Sequence, residues 1–575
     1  MEKEFNGLTP IKRFFGLLKV DRQEVISIYV YALFNGLIGL SLPLGIQAII
    51  NFITTGEVST SWILLVVLVV LGVAFSGIMQ IMQLTVAENL QQKIFTRSAF
   101  EFAYRIPRIK TEAADGKYLP EFVNRFFDTL SVQKGLSKIL LDFSTAAIQA
   151  GFGLILLSLY HPFFILFGFS LVVIVYLIFR FTAPLGLKTS IKESAYKYEV
   201  AHWLEELARA METFKLAGKT DLPMEKTDKI VEGYLDSRKK HFKTLIIQYI
   251  NLISFRVIIT AGLLLIGGLL VINQQMNIGQ FVASEIIIIL VLGAVEKLIT
   301  SMETIYDVLT AVEKLGNVTD LPLENDSENN IELNTDKGLS INLKGVSYAF
   351  NDNTRILKNI NLNVASNARV CLSGFNGSGK SVLLHIIAGL YENYQGILSY
   401  NDVPLGNLNK EHLRWITGSN LAREDIFRGT IKENIALGRP GLDETMLLEV
   451  AEKVGLTEFV EQMPLGYNTI LQPEGRDLPK TIRIKIILAR CVIGNPKLIV
   501  LEDVFKQLSN YDKNCFLDYL LGEDKNWTVI AVSNEEDVAE RFSKVAILNA
   551  GEVVKYGKLS DMKSESWYNK VYLNK

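Results

Sequence analysis

Six long apolar runs in the first part of the chain constrain its fold more than any other feature. They cover approximately Val25 to Ile50, Ser61 to Leu84, Ile139 to Tyr160, Pro162 to Phe181, Leu245 to Ile272 and Phe281 to Ile299. A helix needs roughly 20 apolar residues to cross the hydrocarbon core of a bilayer, and each run supplies about that many. Within lipid every backbone N–H and C=O must be satisfied inside the protein, which favours helices for such runs. Six buried helices of a soluble core are the poorer reading, so six membrane spans are predicted.

The connections set an orientation. Thr54 to Thr60, the Tyr160-His161-Pro162 turn and Asn273 to Gly279 contain no Lys or Arg, whereas the other two connections contain many. An excess of cationic residues marks cytoplasmic loops, so the three short loops are expected outside and both termini in the cytoplasm. No proline interrupts Ser61 to Ile106. A continuous helix of that length measures about 70 Å against a hydrocarbon core of about 30 Å. Leu185 to Leu216 and the run after Pro223 are also free of proline. Two helical hairpins are therefore expected to project from the membrane. Their tips, near Gly116 to Asn124 and near Tyr198 to Ala210, are the candidate contacts with a soluble domain; solvated linkers are the plainer alternative.

Three further features belong to this part. Glu285 is the clearest charge within a span, either lining a substrate path or sitting near the interface. Ile11 to Val20 reads as a short amphipathic helix with Phe14, Phe15, Leu17 and Leu18 toward lipid, or else as a helix packed on the protein. The N-terminal stretch has early acidic residues and no small-residue cleavage site before the first run, so no cleaved signal is expected.

Composition narrows the rest. A formal net charge of -2 over 575 residues gives no argument for a nucleic acid partner. Three cysteines, Cys371, Cys491 and Cys515, lie outside the apolar part without C-x-x-C spacing, which suits a reducing cytosolic face rather than disulfides or zinc. The stretch Val318 to Lys337 is rich in Asn, Asp and Glu and reads as a linker. The expected plan is a transmembrane domain over 1–317, a linker over 318–338 and a soluble α/β domain over 339–575.

Within that domain, Gly374 to Ser381 reads G-x-x-x-x-G-K-S. Gly374, Gly377 and Gly379 let backbone N–H groups approach phosphate, Lys380 can reach the β- and γ-phosphates, and Ser381 can offer its hydroxyl to Mg²⁺. Arg369 to Ser373 reads as a buried strand leading in and Ser381 to Ala388 as a helix leading out, whose N-terminus attracts anions.

The order of features is specific: six spans with long cytosolic loops, then VSYAF, the phosphate loop, GTIKENIALG at Gly429 to Gly438 and LIVLED at Leu498 to Asp503. In this order the whole chain resembles an ABC exporter half-transporter, a membrane domain fused to an α/β P-loop nucleotide-binding domain. SLPLGIQAIINFI at Ser41 to Ile53 is most similar to the peptide and type I secretion exporters, although a peptidase-like domain before the first span is not expected. The resemblance implies ATP and Mg²⁺ as cofactors, a homodimer or a heterodimer with another half-transporter, a bacterial cell membrane, and an exported substrate that the sequence does not identify. Its expected ATP contacts are Phe350, stacking on adenine, and the loop residues Gly374, Asn376, Gly377, Ser378, Gly379, Lys380, Ser381 and Val382. Its metal positions are Ser381 and Glu502.

The same resemblance exposes a conflict. The family's Walker B motif ends in Asp-Glu, for magnesium and for the general base, but this chain has Glu502-Asp503. Each carboxylate is displaced by one methylene, and a misplacement near 1 Å can cost roughly a hundredfold in rate. Ala422 stands where the family has a Gln, and Asn534 where it has a switch His. Asn534 can hydrogen-bond a phosphate oxygen but cannot titrate. The Leu-Ser-Gly-Gly-Gln signature aligns with Leu478-Pro479-Lys480-Thr481-Ile482, and Ser509 replaces the Asp of the D-loop. Glu502, Asp503 and Asn534 are thus catalytic positions with altered residues. Two readings follow, an ATP-driven exporter and a nucleotide-binding subunit that hydrolyses poorly. A soluble P-loop kinase or GTPase on a membrane anchor leaves GTIKENIALG and the long hairpins unexplained.

Overall fold

The computed structural model describes residues 9–55, 60–324, 331–333, 336–350, 354–421 and 426–572. Residues 56–59 of the first short loop, and 325–330 and 334–335 of the expected linker, lie outside the described residues. The chain divides into two compact units, Met1–Ile109 with Gly116–Pro322, and Lys110–Asp115 with Leu323–Lys575.

The first unit has six helical segments long and apolar enough to cross a membrane: Arg22–Ile53, Thr60–Arg108, Leu119–Tyr160, Phe163–Arg209, Leu222–Ile272 and Ile278–Thr319. Each contains a predicted run, apart from Pro162, and most extend well beyond it. The helix Thr60–Arg105 is continuous over 46 residues, and Leu222–Ile272 over 51. The first segment breaks at Leu40, between helices Arg22–Gly39 and Ser41–Thr55. Pro43 explains the break, because it has no N–H for the carbonyl of Gly39 and its ring crowds that carbonyl. The third segment is not uniform: Asp128–Lys138 is followed by one wider π-helical turn, Ile139–Phe143, before Ser144–Tyr160. Two buried glutamines in this unit have the partners that burial favours. The amide of Gln83 donates to the Ile28 carbonyl at 3.1 Å, and that of Gln248 donates to the hydroxyls of Thr182 and Tyr306, both at 2.8 Å. Glu285 sits half-buried in the helix Ile278–Thr319.

The amphipathic helix forms over Pro10–Val20, but its apolar residues divide between two surroundings. Phe14, Leu17 and Leu18 pack against a core that includes Ile28, Leu90 and Val308, whereas Phe15 is 62% exposed. The spacing i, i+3, i+4 places the first three on one stripe, and Phe15 lies about 100° round the helix from Phe14. Of the four residues expected toward lipid, only Phe15 is on the open face. Arg13 fastens this helix to the end of Ile278–Thr319, donating to Asp320 at 2.7 Å and lying 3.8 Å from Glu313. A Cβ at Gly316 would come 2.5 Å from the Arg13 guanidinium carbon, so the glycine leaves the groove that Arg13 occupies. Arg105 donates to the Thr319 carbonyl at 2.8 Å.

The expected hairpin tips are only partly those of the structure. The residues that fold with the second unit are Lys110–Asp115, immediately before the expected tip, while Gly116 to Asn124 and Tyr198 to Ala210 belong to the first. The carboxylate of Glu112 accepts the backbone N–H groups of Glu392 and Asn393, the latter at 2.8 Å, and Lys110 pairs with Glu392 at 3.3 Å.

The second unit is built on two sheets. An antiparallel sheet, in the order β2-β1-β4-β5, joins Thr354–Val364, Ile341–Phe350, Gln395–Tyr400 and Val403–Pro404. The central sheet, β12-β11-β3-β10-β9-β6, joins Glu552–Gly557, Lys544–Asn549, Arg369–Gly374, Thr528–Val532, Leu498–Glu502 and Thr417–Ser419. It is parallel except for β12. A short ribbon pairs β7, Gly429–Thr430, with β8, Ile470–Leu471. The parallel strands are buried on both faces, as their unbroken apolar runs dictate. Val370, Leu372, Leu498, Val500, Ile530 and Val532 enter one core, while Cys371, Ile499, Leu501, Val529 and Ala531 enter the other. Full burial of each large aliphatic side chain here contributes about 1.5–3 kcal/mol. Burial also pushes the Cys371 thiol up to about 11, which leaves it inert as a nucleophile.

Candidate functional site

The phosphate loop lies at the carboxyl end of β3, where open α/β sheets bind ligands. Every residue of β3 is buried, and the chain turns from Gly374 into the helix Lys380–Ile387. Two glycines are required by contact. At Gly374 (φ 147°) a Cβ would meet the Leu548 carbonyl oxygen at 2.1 Å, and at Gly379 (φ 95°) it would meet the Leu357 side chain at 2.6 Å. Gly377 faces open space.

The residues fit a nucleotide triphosphate. Ser378 is buried with its hydroxyl unpartnered, an arrangement that normally awaits an acceptor. The ammonium of Lys380 donates to the carbonyls of Gly374 at 2.9 Å and Phe375 at 2.8 Å, so it already lies along the loop. Burial pushes its pKa below the ordinary lysine value, against the opposing charges of Asp503 and Glu502. Asn376 is exposed beside the loop, whereas Val382 turns its side chain into the core. Phe350 ends β1 and packs edge-on against Tyr348 at 5.1 Å and Tyr391 at 5.9 Å. Tyr391 stacks in turn on Tyr348 at 5.2 Å and His385 at 5.1 Å, and His385 bonds the Ser381 carbonyl at 2.7 Å. An aromatic wall thus connects Phe350 to the helix that follows the loop.

Ser381 and Glu502 come together: the Ser381 hydroxyl donates directly to the Glu502 carboxylate. These two oxygen donors suit Mg²⁺, which takes one or two protein ligands and completes its octahedron with water and phosphate. Asp503 is exposed and has φ 47°, a left-handed conformation that Asp tolerates better than most residues. The two carboxylates therefore leave the strand end with different backbone directions.

Asn534 meets the loop's backbone. Its side-chain oxygen accepts the Gly374 N–H at 3.0 Å and its amide donates to the Gly374 carbonyl at 2.9 Å. Asn420, which the sequence reasoning passed over, does the same to Glu502. Its oxygen accepts the Glu502 N–H at 2.7 Å and its amide donates to the Glu502 carbonyl at 3.0 Å. The signal was an Asn directly after a short strand, where an amide can imitate a backbone group. Ala422 lies outside the described residues.

The segment Leu478 to Ile482, expected to align with the signature, leads into the helix Lys480–Val492, with Pro479 as N-cap making no side-chain capping bond. Pro479 and Lys480 are exposed, and Leu478 and Ile482 pack on the core. Ser509 has a structural role: its hydroxyl accepts the Asp512 N–H at 3.1 Å and caps Asn510–Leu521. In GTIKENIALG, Thr430 and Glu433 form a capping box, and buried Asn434 bonds Phe427 through both ends of its amide, at 3.1 and 3.0 Å.

The architecture and the loop define a P-loop nucleotide-binding unit in the same chain as six candidate membrane spans. The ABC transporter transmembrane region matches residues 25–295, and the ABC transporter family matches residues 357–506. The chain belongs to the ABC transporters, with a transmembrane region fused to an ATP-binding domain. It is 26% identical over 454 residues to the transport/processing ATP-binding protein ComA of Streptococcus pneumoniae serotype 4, covering 78% of this chain and 62% of that protein. It is 27% identical over 380 residues to the alpha-hemolysin translocation ATP-binding protein HlyB of Escherichia coli O157:H7, covering 64% of this chain and 52% of that protein. The chain thus spans less than two thirds of these relatives' length. A bacterial Atm1-family ABC exporter with ATP bound has the same fold, with a TM-score of 0.82 at 17% identity over 96% of this chain and 98% of that one.

Proposed function

We propose that this chain is the ATP-binding half of an exporter for peptide or polypeptide cargo, and that its nucleotide site binds Mg²⁺-ATP but turns it over slowly. The names of the relatives support the cargo class: they are called transport/processing or translocation proteins, one of them for alpha-hemolysin. The distribution of Lys and Arg supports a cytoplasmic nucleotide-binding unit, and the bacterial sources of the relatives support a bacterial cell membrane. The working form is a dimer, either of two copies or with a second half-transporter.

The observation that carries the reading is the contrast between a complete phosphate loop and the groups around it. Lys380 is placed to exchange two loop carbonyls for phosphate oxygens, and Ser381 with Glu502 would hold Mg²⁺. Bound Mg²⁺ would neutralise phosphate charge. The remaining carboxylate, Asp503, carries a side chain one methylene shorter than the family's general base and starts from a left-handed backbone. A water held for attack is sensitive to displacements of this size.

The test is ATP binding and hydrolysis by the purified protein in lipid, beside Lys380→Ala. The expected result is binding that depends on Lys380 with turnover well below about 1 per second. Lys380-dependent turnover at or above that rate overturns the slow-site reading.

A further inference from the structure

Asn534 and Asn420 make the same unusual contact at two places in one sheet. Gly374 is the last residue of β3 and Glu502 the last of β9. In each case the neighbouring strand has just ended. The β10–β3 ladder runs to Val532↔Leu372, then the Ser533 N–H donates to the Leu372 carbonyl at 3.2 Å. The β6–β9 ladder runs to Ser419↔Val500, then the Asn420 N–H donates to the Val500 carbonyl at 3.3 Å. At that point the Asn side chain takes over, and its amide bonds both the N–H and the C=O of the partner residue. A primary amide has the donor and the acceptor of a peptide group, so it extends the ladder by one step where the main chain has turned away.

The two residues so fixed are the first glycine of the phosphate loop and the carboxylate beside Ser381. Neither fixation requires a nucleotide. Asn534 stands where the family resemblance expected a switch His and where an amide could bond a phosphate oxygen, yet its oxygen and one amide proton are committed to Gly374. With Asn534 committed to Gly374, the charges on this chain available to a third phosphate would be Lys380 and any Mg²⁺ held by Ser381 and Glu502, set against the carboxylate of Asp503.

We infer that the two asparagines staple the loop and the metal carboxylate into their binding geometry before any ligand arrives, so that the site takes nucleoside diphosphates and triphosphates nearly alike. This deepens the proposed nucleotide-binding reading and rests on it. Asn534 and Asn420 are positioning residues. Asn534 acts through Gly374 on every phosphate chain, and Asn420 acts through Glu502 on the metal.

Equilibrium binding of ATP and of ADP to the full-length protein in lipid, with and without Mg²⁺, tests this. Wild type should bind the two nucleotides within about threefold of each other, a difference of less than one hydrogen bond to a charged group. Asn534→Ala should weaken both by the same factor, on the order of tenfold. Asn420→Ala should raise the Mg²⁺ concentration needed for half-maximal ATP binding several-fold and leave metal-free binding unchanged. Hydrogen exchange on the wild type is the second measurement, free of any folding defect in a variant: the Gly374 amide, which donates to Asn534, should be protected without nucleotide. Four results overturn the inference: wild-type preference for ATP above about tenfold, loss of ATP but not ADP affinity in Asn534→Ala, a Mg²⁺ requirement indifferent to Asn420→Ala, or a Gly374 amide protected only by nucleotide. Failure of wild type to bind either nucleotide overturns the underlying reading as well, and so is distinguishable from the other four.

Discussion

The two halves of the nucleotide site differ in how closely they keep the residues that the family resemblance leads one to expect. The half that cradles phosphate, Gly374 to Ser381, has its glycines where backbone contacts demand them, a lysine along the loop and an unpartnered buried hydroxyl. The half that would act on an attacking water has Glu502 and Asp503 in reversed order from the family resemblance and an asparagine bonded to backbone at position 534. Binding tolerates changes that hydrolysis does not, because holding a charge depends weakly on distance while delivering a water depends on it steeply. On the proposed reading, holding the nucleotide and hydrolysing it rest on different residues of one site.

The largest expected effect breaks the binding half. Lys380→Ala removes a buried cation and its charge-assisted bonds, and ATP affinity measured by titration calorimetry should fall about ten- to a hundredfold. Restoring the other half sharpens the contrast. The triple change Glu502→Asp, Asp503→Glu and Asn534→His should raise ATP turnover in lipid at least tenfold, within the roughly hundredfold range that a 1 Å correction allows. No rise would mean that the altered signature, rather than the carboxylates, sets the rate.

Smaller effects concern stability. Gly379→Ala forces a Cβ into a left-handed position against Leu357, and should cost about 1–3 kcal/mol, seen as a lower unfolding midpoint. The smallest is acid sensitivity at Glu392. Burial alone would raise this carboxyl's pKa, but the ammonium of Lys410, with that of Lys110, outweighs it and holds the value below normal. A depressed folded value contributes stability that is complete above the unfolded carboxylate range, near pH 4.5, and lost as pH falls through the folded value. Glu392→Gln should therefore flatten the stability profile below about pH 4.5, and an unchanged acid limb would show that the pair with Lys110 and Lys410 is too screened to matter.

The legible parts of this chain were those with local chemistry. Apolar length marked six spans, and G-x-x-x-x-G-K-S between a strand and a helix marked the loop. Pro43 carried a readable warning of the break at Leu40. What the sequence could not show were contacts made across the fold. Periodicity gave the helix Pro10–Val20 two faces but not what each would meet, so lipid and a protein surface both stayed open for its apolar residues, and Phe14, Leu17 and Leu18 are found packed on a core. The segment that joins the second unit, Lys110–Asp115, has little to distinguish it from its neighbours until Glu112 meets two backbone amides. Asn420 and Asn534 have one residue type and one role, but only strand pairing reveals it.

The Arg13 contact has a mechanical consequence. Helix ends fray because their last carbonyls lack partners. Here Arg13 spans from Glu313 to Asp320, seven residues and about two turns along Ile278–Thr319, while Arg105 takes the carbonyl of Thr319. The guanidinium works as a splint across the terminal turns, seated over Gly316. The end of this helix is therefore a stiff post rather than a frayed rope, and a displacement there carries Pro10–Val20 with it.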